Sequence, residues 1–320
     1  MHDDSDLLYK TAVLYYKGNM TQEEISVKLG ISRPMVSRAL SRAAAVGIVK
    51  IDVIPPKGVT ELSGCLAKLL GLKEVIIAPA MNTSGSDVED RLDDAAEFGA
   101  KYLEKAIDGE TNIGIGWGMT VYKTIMNLDR LPKNAELRRF VPLVGSMGRN
   151  ESHFQANAMV NTAASRLGGL AFYYNVSSLL AGDNAEAQVL KAKFSEVYQL
   201  WHDLDVAVIG LGACGPKPSF PISDYPKVEL DQIYGRKAIG DILGRFFNKE
   251  GYIDLKYEGG GAYLGVPAED LKKAKKIICL ATGTSKIEGI ITAARLGFFN
   301  VLVTDSRTAS EMATYLEEKN

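Results

Sequence analysis

Apolar residues in the first part of the chain recur at helical spacing. Leu7, Leu8, Thr11, Ala12, Leu14, Tyr15 and Tyr16 form one stripe that ends at Lys17-Gly18-Asn19, which predicts an amphipathic first helix. Ile25, Val27 and Leu29 then give way to Gly30-Ile31-Ser32, after which Val36, Leu40 and Ala44 repeat. That pattern predicts two short helices joined by a tight turn. Thr21 and Glu24 have the spacing of a capping box, Ser32 can cap the second helix, and Pro34 falls in its first turn, where a missing N–H costs nothing. Gly47 stops the helical pattern, and residues 48–54 alternate as a short strand, a wing beside three helices. Pro55, Pro56, Lys57 and Gly58 mark a boundary, dividing the chain into a head of residues 1–54 and a body of residues 55–320.

The body opens with a helix from Thr60 to about Leu70, whose Leu62, Leu66, Leu69 and Leu70 must dock on the body or pair with a second subunit. Short apolar runs then alternate with helical patterns. The runs are residues 75–78, 112–116, 140–144, 170–173, 206–210, 276–280 and 301–304. The helices expected beside them include 87–106, 119–126, 154–166 and 307–318. Buried runs of four to six residues between helices predict a doubly wound parallel sheet covered on both faces, an α/β body carrying a small winged helix-turn-helix. In such sheets ligands collect at the carboxyl ends of the strands.

Charge separates the two parts. From Lys28 to Lys50 the chain carries Lys28, Arg33, Arg38, Arg42 and Lys50 with no acidic residue, while the 320-residue whole has a net charge of -2. A basic helix surface of this kind suits a phosphate backbone, and an exposed helix N-terminus suits the major groove. A solvated basic face on a helical hairpin would share the pattern, but the small-residue turn, the caps and the unbroken positive run coincide here. The surface expected to meet double-stranded DNA comprises Thr21, Gln22, Ser32, Arg33, Met35, Val36, Ser37, Arg38 and Arg42.

Composition narrows the rest. Cys65, Cys214 and Cys279 are scattered, as are the three histidines, so neither a disulfide framework nor a metal site is indicated. The acidic start MHDDSD lacks the apolar core of a secretory signal, and no apolar run is long enough to span a membrane. A reduced, cytoplasmic protein without a cofactor is expected.

Candidate ligand residues fall just after the apolar runs. Gly116, Gly118, Met119 and Thr120 lie between a strand and a helix; glycines let backbone approach an anion, and the helix start offers unpaired N–H groups. The spacing is neither the dinucleotide fingerprint nor a P-loop, and tight packing would also account for it. Ser146 lies in the next strand-end loop, with Gln155, Asn157 and Asn161 on the following helix. Amides and hydroxyls read sugar hydroxyls well and are equally common as structural caps. Gly283 and Lys286 follow another strand, and a cation at a helix start suggests an anion beside it, or else a solvated lysine. Asp241 is an acid in what reads as an apolar helix, and a buried acid needs a partner.

Seven stretches, taken together and in order, resemble the SorC/DeoR-type family of sugar-responsive bacterial regulators over essentially the whole length. They are MTQEEISVKLGISRPMVSRAL, GIGWGMT, VPLVGSMG, QANAMV, VIGLG, AIGDILGRFFN and VTDSRTA. The resemblance implies a winged helix-turn-helix and an effector domain similar to phosphosugar isomerases and deaminases, without their catalysis. It places a phosphate on Gly116, Gly118, Met119 and Thr120 with Lys286 reaching it, Gln155, Asn157 and Asp241 facing the sugar, and a dimer or tetramer that binds operator DNA. Val144 departs from relatives that carry a basic residue near this position. Valine can neither form an imine nor hold a second phosphate, so a singly phosphorylated sugar or polyol is expected. Thr282, where relatives often have glycine, narrows the pocket.

Two other classes compete. A phosphosugar isomerase or deaminase with a DNA-binding appendage would need a base and an acid, for which Asp241 and Lys286 are the candidates, but no histidine stands in a ligand loop. A constitutive scaffold would have no use for three strand-end loops of ligand type.

Overall fold

The helix signals at the head act through local geometry. In the computed structural model, which describes residues 2–49, 56–81, 88–129, 138–146, 154–180, 184–214, 227–256 and 262–319, the chain forms two units, Met1–Pro56 and Lys57–Asn320.

In the first unit, α1 (His2–Ala12) runs into a π turn (Val13–Lys17), followed by α2 (Gln22–Leu29) and α3 (Arg33–Ala45). The capping box forms: the Thr21 amide donates to the Glu24 carboxylate at 2.8 Å, and the Glu24 amide donates to Thr21 Oγ1 at 3.3 Å. Ser32 takes the cap position of α3, but its hydroxyl makes no cap hydrogen bond, and Pro34 sits in the first turn as expected. Leu8, Ala12, Ala39 and Ala43 make one small core, and Ile25, Val36 and Leu40 another. The apolar stripe of α3 therefore uses Ala39 and Ala43 where Ala44 was expected, and Val27, two residues from Ile25, points out to solvent. Of the expected wing, Ile48 and Val49 form no strand and pack against the first small core; residues 50–54 lie outside the described residues.

The second unit begins with α4 (Lys57–Leu70), which buries Leu66 and Leu70 in the core of its own unit. The parallel sheet is built from β1 (Glu74–Ala78), β2 (Asn112–Ile115), β3 (Arg139–Pro142), β4 (Leu170–Ala171), β6 (Val206–Gly210), β12 (Lys276–Leu280) and β13 (Val301–Asp305). Its order is β1-β13-β12-β6-β2-β3-β4, with every pair parallel. Strand alternation feeds two cores. Ala207, Ile209, Ile277, Cys279 and Leu302 face one, whereas Val206, Val208, Ile278, Leu280, Val301 and Val303 face the other. The second core is closed by α5 (Val88–Ala106), α6 (Met119–Met126) and α7 (Ala156–Leu167). The first takes α8 (Asn184–Lys193), α9 (Ser195–His202), α10 (Lys227–Gly235), α11 (Ala268–Leu271), α12 (Ile287–Arg295) and α13 (Ser306–Glu318) besides α4.

The order of strands locates a switch point. From β2 the chain moves outward through β3 and β4, then returns to the other side of β2 and moves outward again through β6, β12 and β13. The βα connections after β2 and β6 therefore diverge, leaving a crevice at their carboxyl ends, the place where ligands enter open α/β sheets.

Alongside stands structure that the apolar pattern did not announce. A two-stranded sheet pairs β5 (Leu179–Leu180) with β11 (Ala262–Tyr263). A four-stranded antiparallel sheet, β7 (Gly212–Ala213), β8 (Gly240–Ile242), β9 (Arg245–Asn248) and β10 (Gly251–Tyr252), starts two residues after β6 ends. Asp241 therefore lies on a strand, and its assignment to a helix is corrected: Gly240 to Asn248 is a hairpin, whose short strands carry too few residues to show a period of two.

A basic helix face and a strand-end crevice

On α3 the residues opposite the buried stripe are Pro34, Arg38, Ser41 and Ala45, with Arg33 and Ser37 on one flank and Met35 and Arg42 on the other, at 100° per residue. All are exposed, and Met35 is 42% exposed. Arg38 Nε donates to the Pro34 carbonyl at 3.3 Å, which lays its side chain along the helix surface. Val36 does not belong to this face: it is fully buried between Ile25 and Leu40, so its expected contact with DNA is replaced by a packing role. Thr21 and Gln22 begin α2, with the Thr21 hydroxyl engaged in the cap.

In the body, the strand ends at the switch point are held by close backbone contacts. The Gly116 amide donates to the Val208 carbonyl at 2.8 Å, tying the loop after β2 to β6. A side chain at Gly116 would meet Leu243 Cδ2 at 2.7 Å and Val208 O at 2.9 Å. Gly118, at φ 116°, turns the chain into α6 in a conformation open to glycine, so that backbone leads into the helix start without a side-chain cap. Thr120 is buried beside it, while the Met119 side chain points to solvent.

Asp241 is placed by the hairpin. Gly212 and Asp241 are register partners in β7 and β8, and a Cβ on Gly212 would collide with Asp241 Oδ1. Leu243 and Gly244, at φ 56° and 78°, form the two-residue turn with both φ positive that joins tightly twisted strands. A left-handed leucine is strained by about 1–2 kcal/mol. The turn is held by the Gly244 amide donating to Asp241 Oδ2 at 3.1 Å and by the Tyr263 hydroxyl donating to the Leu243 carbonyl at 2.8 Å. Asp241 is 4% exposed, and its Oδ1 is buried without a hydrogen-bond partner.

Lys286 completes the arrangement. Gly283, at φ 101°, follows β12, and its amide donates to Thr308 Oγ1 at 2.8 Å; the Thr308 hydroxyl in turn donates to Asp305, the cap of α13. This fixes the loop that carries Lys286 to the start of α12. Burial lowers the Lys286 ammonium below its ordinary range, against the attraction of Cys279 and Asp241. Burial likewise pushes the Asp241 carboxyl up to about 6, against its hydrogen bond from Gly244 and the pull of Lys286. Among the described residues the Lys286 amide donates to the Gly283 carbonyl at 3.0 Å, while its ammonium makes no ion pair or hydrogen bond. An acid and a base thus share one electrostatic neighbourhood, and each is driven toward neutrality by desolvation that outweighs their mutual attraction. Cys214 and Cys279, both raised to about 12 by burial, remain thiols there.

Ser146, Gln155 and Asn157 stand beyond β3, one strand further from the switch point. Ser146 is exposed and bridges to Ser177. Gln155 caps α7 by position only, without a side-chain cap bond. Asn157 departs from its expected role: its Nδ2 donates to the Tyr174 carbonyl at 3.3 Å and to Asn175 Oδ1 at 3.0 Å, and its Oδ1 accepts from the Tyr174 amide at 3.0 Å. With both donors engaged, the amide pins residues 174–175 and has no N–H left for a sugar. Val144 is packed in the core, and Thr282 is buried next to Gly283. Sequence reasoning missed Leu243, Gly212 and Thr308. Only the Leu243-Gly244 pair carried a readable signal, a glycine between Ile242 and the apolar Phe246-Phe247. Among the described residues, no three metal-ligating side chains cluster and no helix is long and apolar enough to cross a membrane.

A doubly wound parallel sheet on one chain with a helix-turn-helix that bears a basic face is the architecture of a ligand-responsive transcriptional regulator. Residues 55–313 match the family described as "Putative sugar-binding domain". The chain is 30% identical to the sorbitol operon regulator of Klebsiella pneumoniae, over 96% of this chain and 97% of that protein. It is 25% identical to the deoxyribonucleoside regulator of Bacillus subtilis, over 98% and 99%. The crystal structure of the full-length sorbitol operon regulator SorC from Klebsiella pneumoniae superposes with a TM-score of 0.77 at 29% identity, covering 97% of this chain and 98% of that one. The chain belongs to the SorC/DeoR-type family of sugar-responsive bacterial transcriptional regulators.

Proposed function

We propose that this regulator controls a carbohydrate catabolic operon and that its grip on operator DNA is set by a singly phosphorylated sugar or polyol held in the strand-end crevice. The observation that carries the reading is the pair of buried Asp241 and half-buried Lys286, each displaced toward its neutral form, with Asp241 Oδ1 lacking a hydrogen-bond partner. A phosphate beside Lys286 and the start of α6 favours the charged ammonium, and a sugar hydroxyl donating to Asp241 Oδ1 satisfies the orphaned acceptor. Gly116, Gly118, Met119 and Thr120 supply the backbone cradle, Gly283 positions Lys286, and Ser146 and Gln155 lie toward the distal end of the ligand.

The head, residues 1–54, meets the operator, and the body, residues 55–320, senses the ligand and oligomerises as a dimer or tetramer in the cytoplasm. Coupling of about 1–3 kcal/mol between the two sites changes operator affinity roughly 5- to 150-fold. The test is a thermal-shift and duplex-binding screen against phosphorylated and unphosphorylated sugars and polyols. A ligand at 100 times its dissociation constant adds about 2.7 kcal/mol of stability. A shift by one phosphorylated compound that also changes duplex affinity supports the reading, and silence across the panel removes it.

One observation favours a catalytic alternative: a carboxyl near pKa 6 beside a lysine suits proton transfer in a phosphosugar isomerase or deaminase. Binding without turnover is the expected result of isomerase and deaminase assays with the same panel.

A further inference from the structure

The small antiparallel sheet of the body has two ends. The Leu243-Gly244 turn closes one, beside Asp241. At the other, the register of β7 to β10 brings Cys214, Ile239, Asn248 and Gly251 together, and a cleft of about 1000 Å³ opens there between the sheet, the end of α10 and the start of α12. Among the described residues, Asp241, Lys286 and the loop after β2 do not line it. We infer that this cleft is a second anion site, which takes the phosphate group of a small phosphorylated metabolite on Arg236 and Lys237, apart from the effector in the strand-end crevice.

The backbone of Lys237 is the first ground. It stands at φ 54° where the chain leaves α10, a left-handed conformation that suits glycine and strains a residue with a side chain. Three hydrogen bonds hold it there. The Lys237 amide donates to the Tyr234 carbonyl at 3.0 Å, the Ala238 amide to the Ile233 carbonyl at 3.1 Å, and Asn248 Nδ2 to the Arg236 carbonyl at 3.1 Å. A strained residue held in place by its surroundings, on the rim of a cleft, is the pattern of a ligand clamp.

The second ground is the chemistry of the lining. Arg236 and Lys237 are exposed, and among the described residues neither side chain has an ion pair or a hydrogen bond. A third cation, Lys249, is tied to Glu288 at 3.4 Å, which leaves Glu250 as the acid that opposes an incoming anion. A guanidinium next to an ammonium offers a phosphate a planar fork of donors and a point charge. The floor supplies what an exposed basic patch lacks. Ile239 and Tyr252 line it, and Tyr252 stacks on Phe298 with ring centres 4.1 Å apart and 11° between the planes, so the carbon skeleton of a ligand meets a fixed apolar surface.

The third ground is position. Ser285 lines the cleft and directly precedes Lys286, and Ile239 lines it two residues before Asp241. An anion in the cleft therefore sits on the loop and the strand that carry the sensing pair. Two anions drawn to one loop repel, so each is expected to weaken the other roughly fivefold. This coupling rests on the reading of Lys286 as a phosphate ligand, whereas the cleft site does not.

Equilibrium dialysis of the full chain against radiolabelled inorganic phosphate, in chloride at physiological ionic strength, counts the saturable sites. Wild type is expected to bind two phosphates per chain at millimolar concentration. Arg236→Gln with Lys237→Gln leaves one, Lys286→Met leaves one, and the three changes together leave none. Each single-site protein holds its remaining phosphate roughly fivefold more tightly than wild type holds its second. Glu250→Gln tightens the cleft site. Lys191→Gln with Lys193→Gln removes the same charge from exposed positions on α8 and keeps both phosphates. Unchanged stoichiometry in the variant of Arg236 and Lys237, an equal loss in the α8 variant, or no saturable binding in wild type overturns the proposal. One phosphate that survives Lys286→Met and is lost with Arg236 and Lys237 upholds it and removes the effector reading. One that is lost with Lys286→Met and survives the loss of Arg236 and Lys237 removes the cleft site alone.

Discussion

The two halves of this chain handle charge in opposite ways. The head spreads Arg33, Arg38 and their neighbours over an exposed helix face, in water and beside no acid of their own helix. The body buries Asp241 and half-buries Lys286 at the strand ends, where each lacks the solvation or the full complement of partners that its charge requires. The head thus suits a large polyanion whose binding is driven by counterion release and weakens steeply with salt. The body suits a small ligand that enters a place where the cost of drying has already been met in the fold, and where salt screens poorly. Raising the salt concentration should therefore separate the two activities, with duplex affinity falling by orders of magnitude while the dissociation constant of a sugar phosphate changes little.

The largest expected effect comes from breaking the pair of Asp241 and Lys286. Lys286→Met should cost about 2–5 kcal/mol of ligand affinity, because one partner of a desolvated charge interaction is removed. Calorimetry should show the loss while duplex binding without ligand is unchanged. Next comes the pH dependence of the free protein. The Asp241 carboxyl lies near 6 in the folded chain, against an ordinary value of 3.8. For an acid raised in this way, the stabilising contribution is complete below the unfolded value and is lost as pH rises from about 4 through 6. Asp241→Asn should therefore be more stable than wild type above pH 6, by on the order of 3 kcal/mol, with the gap closing by pH 4. Denaturant titration across pH measures it, and a gap that does not depend on pH rejects the assignment.

Arg38→Ala should weaken binding to a duplex that the wild-type protein selects from a random-sequence pool, by about 1–3 kcal/mol, and leave the ligand-induced thermal shift intact. The smallest effect sharpens the contrast from the side of stability. Thr21→Ala removes the hydroxyl of the capping box and should lower the head's melting transition by a few degrees, read by circular dichroism, without touching the ligand response.

What the sequence disclosed follows from the range over which each signal acts. The helices of the head are set by residues three and four apart, so Thr21, Glu24, Gly30 and Pro34 could be read directly. The one misplaced contact, Val36, arose because a helix start that meets DNA also turns one side toward its own core. In the body, the parallel strands were legible as apolar runs because both faces are buried, and the run at residues 206–210 matches β6. The small antiparallel sheet was not, since strands of two to four residues have no period to detect. Asp241 was recognised as an acid in need of a partner, but its place depends on Gly212, thirty or so residues earlier, and on a left-handed Leu243 that local propensity disfavours. Asn157 had the right chemistry for a sugar, and only the structure shows its amide committed to Tyr174 and Asn175.

We propose that Asp241 and Lys286 together sense a phosphorylated carbohydrate and thereby set the grip on DNA. That link is tested most directly by titrating the sugar phosphate that gives the largest thermal shift into a preformed complex of the full chain with its selected duplex, for wild type and Lys286→Met side by side. The account predicts that wild-type affinity for the duplex changes at least fivefold on saturation, while the variant's stays constant over the same concentrations. An equal change in both proteins, or a thermal shift in wild type with no change in duplex affinity, would contradict it.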